Sequence, residues 1–456
     1  MKQTRLFFFA AALMVAACTE IVPVISVDPC VTTFEASVDN TPDFKAALGI
    51  NGESQPQTFW EDGDEITVYS TGDGPGTVES AGYKFSTSLL ANATTATFTY
   101  AGEVPAGNYM AIYPAASANR NVNYDAYRMA AVDVPRTQTL VAGSFDRSAA
   151  VAVAYAPEGS GALNFKNLVA LVKFQVADDD VVDGRIVVDD ADAIAGRFRA
   201  DFDTESANHS LATYSGATTY SYVSFSLGGS TLSTGTDYYV AVRPADLTSG
   251  FKIYLNGCLV KSYTAVQVAS FARSKIYNAG TLSKPATPAS KLLHFDFSGA
   301  ALPGWPTADK WDTKAGNLAC TYPLYGTNYS FICADVSEAL NARVAWDASK
   351  GGVVLFNSYR YLGLPAISGY KLVKVTGSLC LGDKSTRKAG ITASVAATTS
   401  DPYDYVSGGS QIGWTKSGAV YSYSLTGTAA NTVYYLTCTS VSIGTSYLDL
   451  VYERVL

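Results

Sequence analysis

The stretch that decides the fold is Leu163-Asn164-Phe165-Lys166-Asn167-Leu168-Val169-Ala170-Leu171-Val172-Lys173-Phe174-Gln175-Val176. It is the longest apolar strand candidate of the chain. It predicts a central strand that is buried on one face and in part on the other. Strand patterns flank this stretch on both sides, and together they predict an all-β chain.

The flanking patterns alternate between apolar and polar residues. Val31–Val38 alternates as a half-buried strand does. Asp62-Gly63 is a turn dipeptide between two β-rich runs, so we expect a tight hairpin there. Further strands are predicted at 83–86, 95–100, 108–114, 183–188, 193–202, 220–227, 237–242, 251–255 and 275–282.

The composition also favours strands and turns over helices. Charged residues make up only 16% of the 456 residues, and Tyr (30) outnumbers Phe (20). A chain of this length predicts two to four domains. The net charge is −8, and segment 291–456 holds 13 basic and 11 acidic residues, so the acidic excess lies before it. An acidic body argues against binding to nucleic acid or to an anionic membrane.

The N-terminus has the pattern of a bacterial signal peptide, in which a charged start and an apolar run precede small residues. Val15-Ala16-Ala17-Cys18 resembles a lipobox, which implies that residues 1–17 are removed and that Cys18 is lipidated ahead of a tether at 18–29. The alternative is an ordinary secretory signal with an incidental Cys. No later apolar run approaches the length of a membrane span, so the lipid is the only predicted membrane contact. Thr19 replaces the Asp that would retain a lipoprotein in the inner membrane, which favours the outer membrane and leaves the leaflet open.

Five motifs in fixed order resemble the fimbrillin-family lipoproteins of the Bacteroidota. They are Trp60-x-x-Gly63-Asp64-x-Ile66-x-Val68-Tyr69, Asn164 to Phe174 of the stretch quoted above, Ala195-Gly196, Tyr238-Tyr239-Val240-Ala241-Val242-Arg243-Pro244 and Arg273-Ser274-Lys275-Ile276-Tyr277-Asn278-Ala279-Gly280. The resemblance implies two β-sandwich domains of transthyretin-like topology, at 30–156 and 157–282.

A third unit follows a Pro-spaced linker at 283–290. Many strand patterns without a long helix, over residues 291–456, predict a jelly-roll-like β-sandwich. This unit resembles the galactose-binding-like modules of other surface lipoproteins.

The sequence gives little support for an enzyme. It holds only two His, His209 and His294, and neither has partners that would make it a catalytic base. The acidic cluster from Asp178 to Asp192 misses the spacing of an EF-hand, so we interpret it as solvated turns. We therefore predict no catalytic residues, no metal and no cofactor.

Aromatic residues of the third unit are the best candidates for ligand binding, because exposed rings can stack on sugars. The candidates are Trp305, Trp311, Trp414, Tyr325, Tyr403 and Tyr405. The alternative is that these rings fill the core, which we expect for Trp346.

Six Cys remain besides Cys18, and their pairing cannot be assigned from spacing. They are Cys30, Cys258, Cys320, Cys333, Cys380 and Cys438. Cys320 and Cys333 form the best candidate pair, although buried free thiols are the expected state for most of them.

The resemblance implies a lipid-anchored adhesin or an accessory fimbrial subunit whose partners are other pilus subunits or a host or glycan ligand. Major subunits of that family lose their first strand to a protease and accept a strand from a neighbour. Here no Arg lies between Cys18 and Arg120, so we expect a tip, an anchor or a stand-alone adhesin. The alternative function is a glycan-binding lipoprotein whose last domain captures polysaccharide.

Overall fold

The computed structural model describes residues 31–38, 47–50, 56–71, 82–115, 122–123, 128–202, 209–299, 304–305, 318–335, 344–347, 349–355, 360–379, 389–392, 420–438 and 443–455. Within these ranges the chain forms strands and short 3-10 turns such as Arg147–Ala149, and no α-helix. The all-β prediction is therefore confirmed. Over the same ranges, no helix has the length and apolarity that crossing a bilayer requires.

Seven strands of the first unit close into a barrel, in the order β1-β12-β11-β7-β4-β5-β6, where the resemblance implied a sandwich. The first twelve strands are β1 Val31–Val38, β2 Ala47–Ile50, β3 Pro56–Phe59, β4 Glu65–Ser70, β5 Tyr83–Thr87, β6 Thr95–Ala101, β7 Tyr109–Tyr113, β8 Val122–Asn123, β9 Arg128–Val134, β10 Thr137–Thr139, β11 Ala152–Ala156 and β12 Ala162–Asn167. β1 closes the barrel by pairing antiparallel with β6 and parallel with β12.

The second unit contains strands β13 to β24. They are β13 Ala170–Val176, β14 Asp183–Val187, β15 Ala195–Asp201, β16 Ser210–Ala212, β17 Thr219–Tyr220, β18 Tyr222–Ser226, β19 Tyr238–Val242, β20 Ala245–Asp246, β21 Phe251–Leu255, β22 Cys258–Tyr263, β23 Ser270–Phe271 and β24 Ile276–Leu282. β9 pairs with β15, and β10 pairs with β18. Strands of the first unit thus complete sheets of the second, and pairing crosses the boundary expected near residue 156.

The stretch that decides the fold is two strands rather than one. β12 belongs to the barrel, and β13 is the centre of a three-stranded sheet, β19-β13-β24. The break lies at Asn167, whose Oδ1 accepts a hydrogen bond from Val169 N at 3.0 Å, as an Asx turn does. The stretch therefore carries the chain from the core of the first unit to the core of the second.

The third unit packs two antiparallel sheets around one core, as a sandwich does. Its strands are β25 Ser290–Asp296, β26 Leu318–Leu324, β27 Thr327–Asp335, β28 Val344–Asp347, β29 Gly352–Leu355, β30 Arg360–Gly363, β31 Tyr370–Leu379, β32 Ala389–Thr392, β33 Val420–Ser424, β34 Tyr435–Cys438 and β35 Ile443–Arg454. One sheet has the order β26-β27-β30-β34-β32. Phe295, Phe331, Leu436 and Leu450 are among the buried residues between the two sheets.

The second sheet of the sandwich continues into the second unit. The combined sheet has eleven strands, and its main path is β10-β18-β14-β21-β22-β25-β35-β29-β28. The two units meet where β22 pairs with β25. The pairing consists of Cys258 opposite Lys291 and a 2.8 Å hydrogen bond from Leu292 N to Gly257 O. Gly257 has φ +72°, and a Cβ there would lie 2.8 Å from Leu292 O. Glycine is therefore required for β25 to approach the turn.

Candidate functional site

The polar face of the eleven-stranded sheet folds onto itself where the second and third units meet. β14 and β35 are four strands apart, so in a flat sheet they would lie about 19 Å from each other. Instead, Arg185 Nη1 of β14 lies 2.8 Å from Asp449 Oδ2 of β35. The sheet must therefore curl, and its two polar halves face each other across a concave surface.

Strand alternation explains why these residues share the surface. Ile186 points into the core of the second unit, so its neighbour Arg185 points the other way. Leu448 and Leu450 enter the core of the third unit, which leaves Asp449 on the polar face. Arg185 and Asp449 are only 7% and 5% exposed.

A buried charge network joins the two units. Besides Asp449, Arg185 donates from Nε to Ser224 Oγ at 3.0 Å, and its guanidinium lies 4.4 Å from the centre of the Tyr222 ring. His294 Nδ1 lies 2.6 Å from Asp449 Oδ1. Burial alone would raise the pKa of Asp449, but the attraction of Arg185 and the hydrogen bond with His294 outweigh it and lower that pKa to about 2.

Tyr325 adds a second link between the units. Its hydroxyl donates to both carboxylate oxygens of Asp183, at 2.9 and 3.1 Å. Tyr325 lies in the turn between β26 and β27 and has φ +51°, followed by Gly326 at +73°. Burial raises the pKa of the Asp183 carboxyl, although the Tyr325 hydrogen bond and Arg185 oppose the rise.

A cavity of about 540 Å³ opens between these elements, and we call it the junction cavity. Its volume is within the range of small-ligand sites. Its wall comes from the second and third units, among them Arg185, Tyr222, His294, Tyr325 and Tyr447, and from Arg136, which precedes β10 of the first unit. A second cavity of about 690 Å³ shares Arg185, Tyr222 and Tyr447 with it, and there Lys374 Nζ lies 2.6 Å from Asp190 Oδ1.

The predicted site residues are not gathered at one place. Tyr325 lines the junction cavity. Trp305 was expected to present an exposed ring, but it is only 5% exposed and packs against Phe297 and Phe331 with ring centres 5.4 Å apart. Its Nε1 donates to Thr321 O at 2.9 Å, which satisfies the one polar atom of the ring. Outside the described residues lie Cys18, Trp311, Trp414, Tyr403 and Tyr405.

Most of the cavity residues were not foreseen in the sequence. His294 was interpreted as structural, and Arg136, Arg185, Tyr222, Tyr447 and Asp449 were not singled out. One signal was available, because a charged residue that alternates with apolar ones in a strand faces away from the core. Arg185 before Ile186 and Asp449 between Leu448 and Leu450 both follow that pattern.

The paired cysteines and the acidic cluster near Lys284 have structural partners. Cys320 Sγ lies 3.3 Å from Cys333 Sγ, and both thiols are free. Asp178 accepts from Lys284 N at 2.7 Å, and Asp180 pairs with Lys284 Nζ. In the part of the chain that the structure describes, no three His, Cys, Asp or Glu side chains are grouped as metal ligands would be.

Comparison with known proteins finds similar solved structures at low identity only. No family model and no curated protein matches it. Two similar solved structures are each named "putative cell adhesion protein". One, from Bacteroides uniformis, has 17% identity over 58% of this chain and 91% of that chain, with a TM-score of 0.30. The other, from Bacteroides ovatus, has 13% identity over 55% of this chain and 92% of that chain, with a TM-score of 0.31. The tip fimbrial protein Mfa3 of Porphyromonas gingivalis has 9% identity over 58% of this chain and 93% of that chain, with a TM-score of 0.21. At these TM-scores the function must be argued from the chain itself.

Proposed function

We propose that the chain is a non-enzymatic adhesion protein of the bacterial cell surface, anchored to the outer membrane through a lipid on Cys18. The observation that carries the proposal is the sheet that continues from the second unit into the third. A surface adhesin must hold its outer unit at a distance from the membrane and in a fixed orientation. A shared sheet with a buried ion pair across its concave face supplies that rigidity.

The segment between the two units supports the same conclusion. Residues 283–290 have the composition of a Pro-spaced linker. Hydrogen bonds hold both of its ends. Lys284 N donates to Asp178 Oδ2 at 2.7 Å, and Tyr370 OH donates to Pro288 O at 2.6 Å. A linker with both ends bonded to the units it joins restricts their relative motion.

The first strand supports an accessory role over a shaft role. In β1, Phe34 and Ala36 are 2% and 0% exposed, and neighbours flank the strand on both sides. Because no Arg precedes Arg120 in the mature chain, we expect β1 to stay in place and leave no groove for a donor strand. Intact-mass measurement of protein taken from cells should show β1 retained, whereas filaments formed by the purified chain would contradict this role.

Adhesion is tested with beads that carry residues 18–456 through their N-terminus, passed over mucin, epithelial cells and partner bacteria under flow. We expect retention on at least one of these surfaces, and less retention for Asp449→Asn, which breaks the buried pair. Asp133→Asn is the matched control, because Asp133 pairs with Arg197 at the exposed surface. Retention no greater than that of uncoated beads on every surface, with folded protein, would overturn the proposal.

The anchor is tested separately. Cys18→Ala should move the protein from the membrane fraction to the soluble fraction and abolish its labelling by a fatty-acid probe. Unchanged membrane association would contradict a lipid on Cys18.

Glycan capture is the second candidate function, and the junction cavity is the observation that favours it. The cavity differs from the site expected on the third unit alone, because the second unit contributes part of its wall. Binding must therefore be measured on the full mature chain rather than on residues 291–456.

A further inference from the structure

We propose that the junction cavity binds a saccharide that carries an acid group, and that Arg136 is the cation that holds this group. The inference rests on the glycan-capturing candidate function and gives it a ligand class and a residue. It does not depend on the lipid anchor or on adhesion under flow.

Arg136 enters the cavity from the connection between β9 and β10. Its carbonyl oxygen accepts a hydrogen bond from Ser224 N at 2.7 Å, which fixes the backbone against β18. The guanidinium lies 4.7 Å from the centre of the Tyr220 ring and donates from Nη1 to Tyr222 OH at 3.3 Å. Among the described residues, no carboxylate lies within ion-pair distance of it.

Four other arginines of the chain differ from Arg136 in this respect. Each of the four has an aspartate partner, and these are Arg147, Arg185, Arg197 and Arg199. A guanidinium carries five N–H donors in a planar fork that matches an anionic acid group. Arg136 uses one of its donors on a neutral hydroxyl, so several others remain to bind a ligand.

Neither carboxylate that lines the cavity, Asp183 or Asp296, forms an ion pair with Arg136. The single proton of Tyr325 OH is shared between both carboxylate oxygens of Asp183 in a bifurcated hydrogen bond. Asp296 accepts from Ser298 N at 2.8 Å and from Ser298 Oγ at 2.6 Å. Asp449, behind the cavity wall, is paired with Arg185. An incoming anion therefore finds Arg136 as a cation without a charged partner.

The rest of the lining suits a polyhydroxylated ligand. Hydroxyl side chains are frequent there, namely Thr137, Ser224, Ser226, Ser298, Ser378 and Ser446. Each hydroxyl donates one hydrogen bond and accepts others. Ser298 and Ser446 already donate, to Asp296 Oδ1 and Ser378 O, so they would accept from a sugar hydroxyl. The acid group gives the ligand its orientation, and the hydroxyl lining accommodates the remainder of the ring.

The proposal is tested by calorimetry on residues 18–456 at low ionic strength, because salt screens such a contact. The probes are oligogalacturonate and its methyl ester, sialyllactose and lactose, and a sulfated glycosaminoglycan with its desulfated form. We expect at least one acidic probe to bind at least tenfold more tightly than its neutral counterpart. The uronate, sialate and sulfate probes identify the source of the acid group.

Three variants decide whether Arg136 is responsible. Arg136→Gln should weaken binding of the acidic probe about ten- to a hundredfold, since a hydrogen bond to a charged group is lost. Arg136→Lys should weaken it less, because the charge stays and the planar fork is lost. Arg197→Gln is the control, since Arg197 lies outside the cavity lining and should bind the probe as the wild type does. Melting curves establish that each variant is folded.

Three results would overturn the proposal. No acidic probe binds the folded wild type, a neutral counterpart binds equally well, or Arg136→Gln retains full affinity. If beads still adhere under flow in the first case, the adhesion proposal stands and only the saccharide site is lost. If an acidic sugar binds without Arg136, glycan capture stands and the assignment of this residue is wrong.

Discussion

Asp449→Asn is the perturbation that tests most directly whether the third unit is fastened to the second. The substitution keeps the shape of the side chain and removes its charge, so Arg185 stays buried without a counter-ion. Breaking a buried ion pair by removing one partner costs about 3–5 kcal/mol of unfolding free energy. The lowered pKa of Asp449 gives a smaller figure, about 2 kcal/mol for a shift from 3.8 to about 2. The larger figure is the better guide, because the pKa compares two forms of a carboxyl that both still contact Arg185.

Urea unfolding followed by tryptophan fluorescence is a suitable assay, because four of the five Trp lie in the third unit. Asp133→Asn is the reference variant, since the exposed ion pair of Asp133 and Arg197 contributes only about 0–1 kcal/mol to the unfolding free energy. The double variant Arg185→Met, Asp449→Leu removes both charges and should cost less than Asp449→Asn alone. If Asp449→Asn costs no more than Asp133→Asn, the buried pair does not fasten the units.

The remaining predictions concern acid, the core and the thiols. The stability that Asp449 contributes should be complete above pH 4 and disappear as the pH falls towards 2, because its folded pKa lies below its unfolded one. The measurement is the difference in unfolding free energy between wild type and Asp449→Asn as a function of pH. A difference that stays constant with pH would contradict this prediction. Trp305→Ala should lower the unfolding free energy by about 3–5 kcal/mol in urea, as loss of a large core side chain does. A loss no greater than that of a surface substitution would show that the Trp305 ring is exposed after all. Cys320 and Cys333 should form a disulfide in exported protein, because their sulfurs are 3.3 Å apart and the compartment is oxidising; alkylation of both thiols in denatured, unreduced protein would show that they stay free.

The sequence predicted the existence of most strands because their alternation is local. Phe251–Leu255 is a strand with the predicted bounds, and Ile276–Leu282 begins one residue after the strand predicted at 275–282. The partners of each strand are set by distant residues and were harder to predict. Asp62-Gly63 forms a turn, as expected, but β3 pairs with β2 and β4 pairs with β5 and β7, so the predicted hairpin is wrong.

Buried Asp64 explains why that hairpin does not form. Its carboxylate accepts from Glu61 N at 2.8 Å and from Tyr113 OH at 2.9 Å, and it pairs with Arg147. These contacts direct the chain after the turn towards the barrel core rather than back along β3. Two of the three partners are distant in sequence, so a local pattern could not reveal them.

The candidate site was missed for the same physical reason. Arg185 and Asp449 each follow a visible alternation, but their contact depends on the curl of a sheet that joins two units. Tyr325 was singled out as a ring that binds a ligand, and its role in the structure is a hydrogen bond to Asp183 across the same junction. Aromatic composition pointed to the third unit, while the position of the junction cavity depends on the pairing of β22 with β25.

The two arginines at the junction, Arg185 and Arg136, have different roles. Arg185 is buried and paired, so its charge serves to orient the third unit, a use in which a buried ion pair defines geometry more than it adds stability. Arg136 is partly exposed and has no charged partner, so its charge is available to a ligand. Because both units form the cavity wall, Asp449→Asn should lower the unfolding free energy and the affinity for an acidic saccharide together. Arg136→Gln should lower the affinity alone. A site on the third unit by itself would leave the affinity of Asp449→Asn unchanged, so this pair of variants separates a shared cavity from a site within one unit.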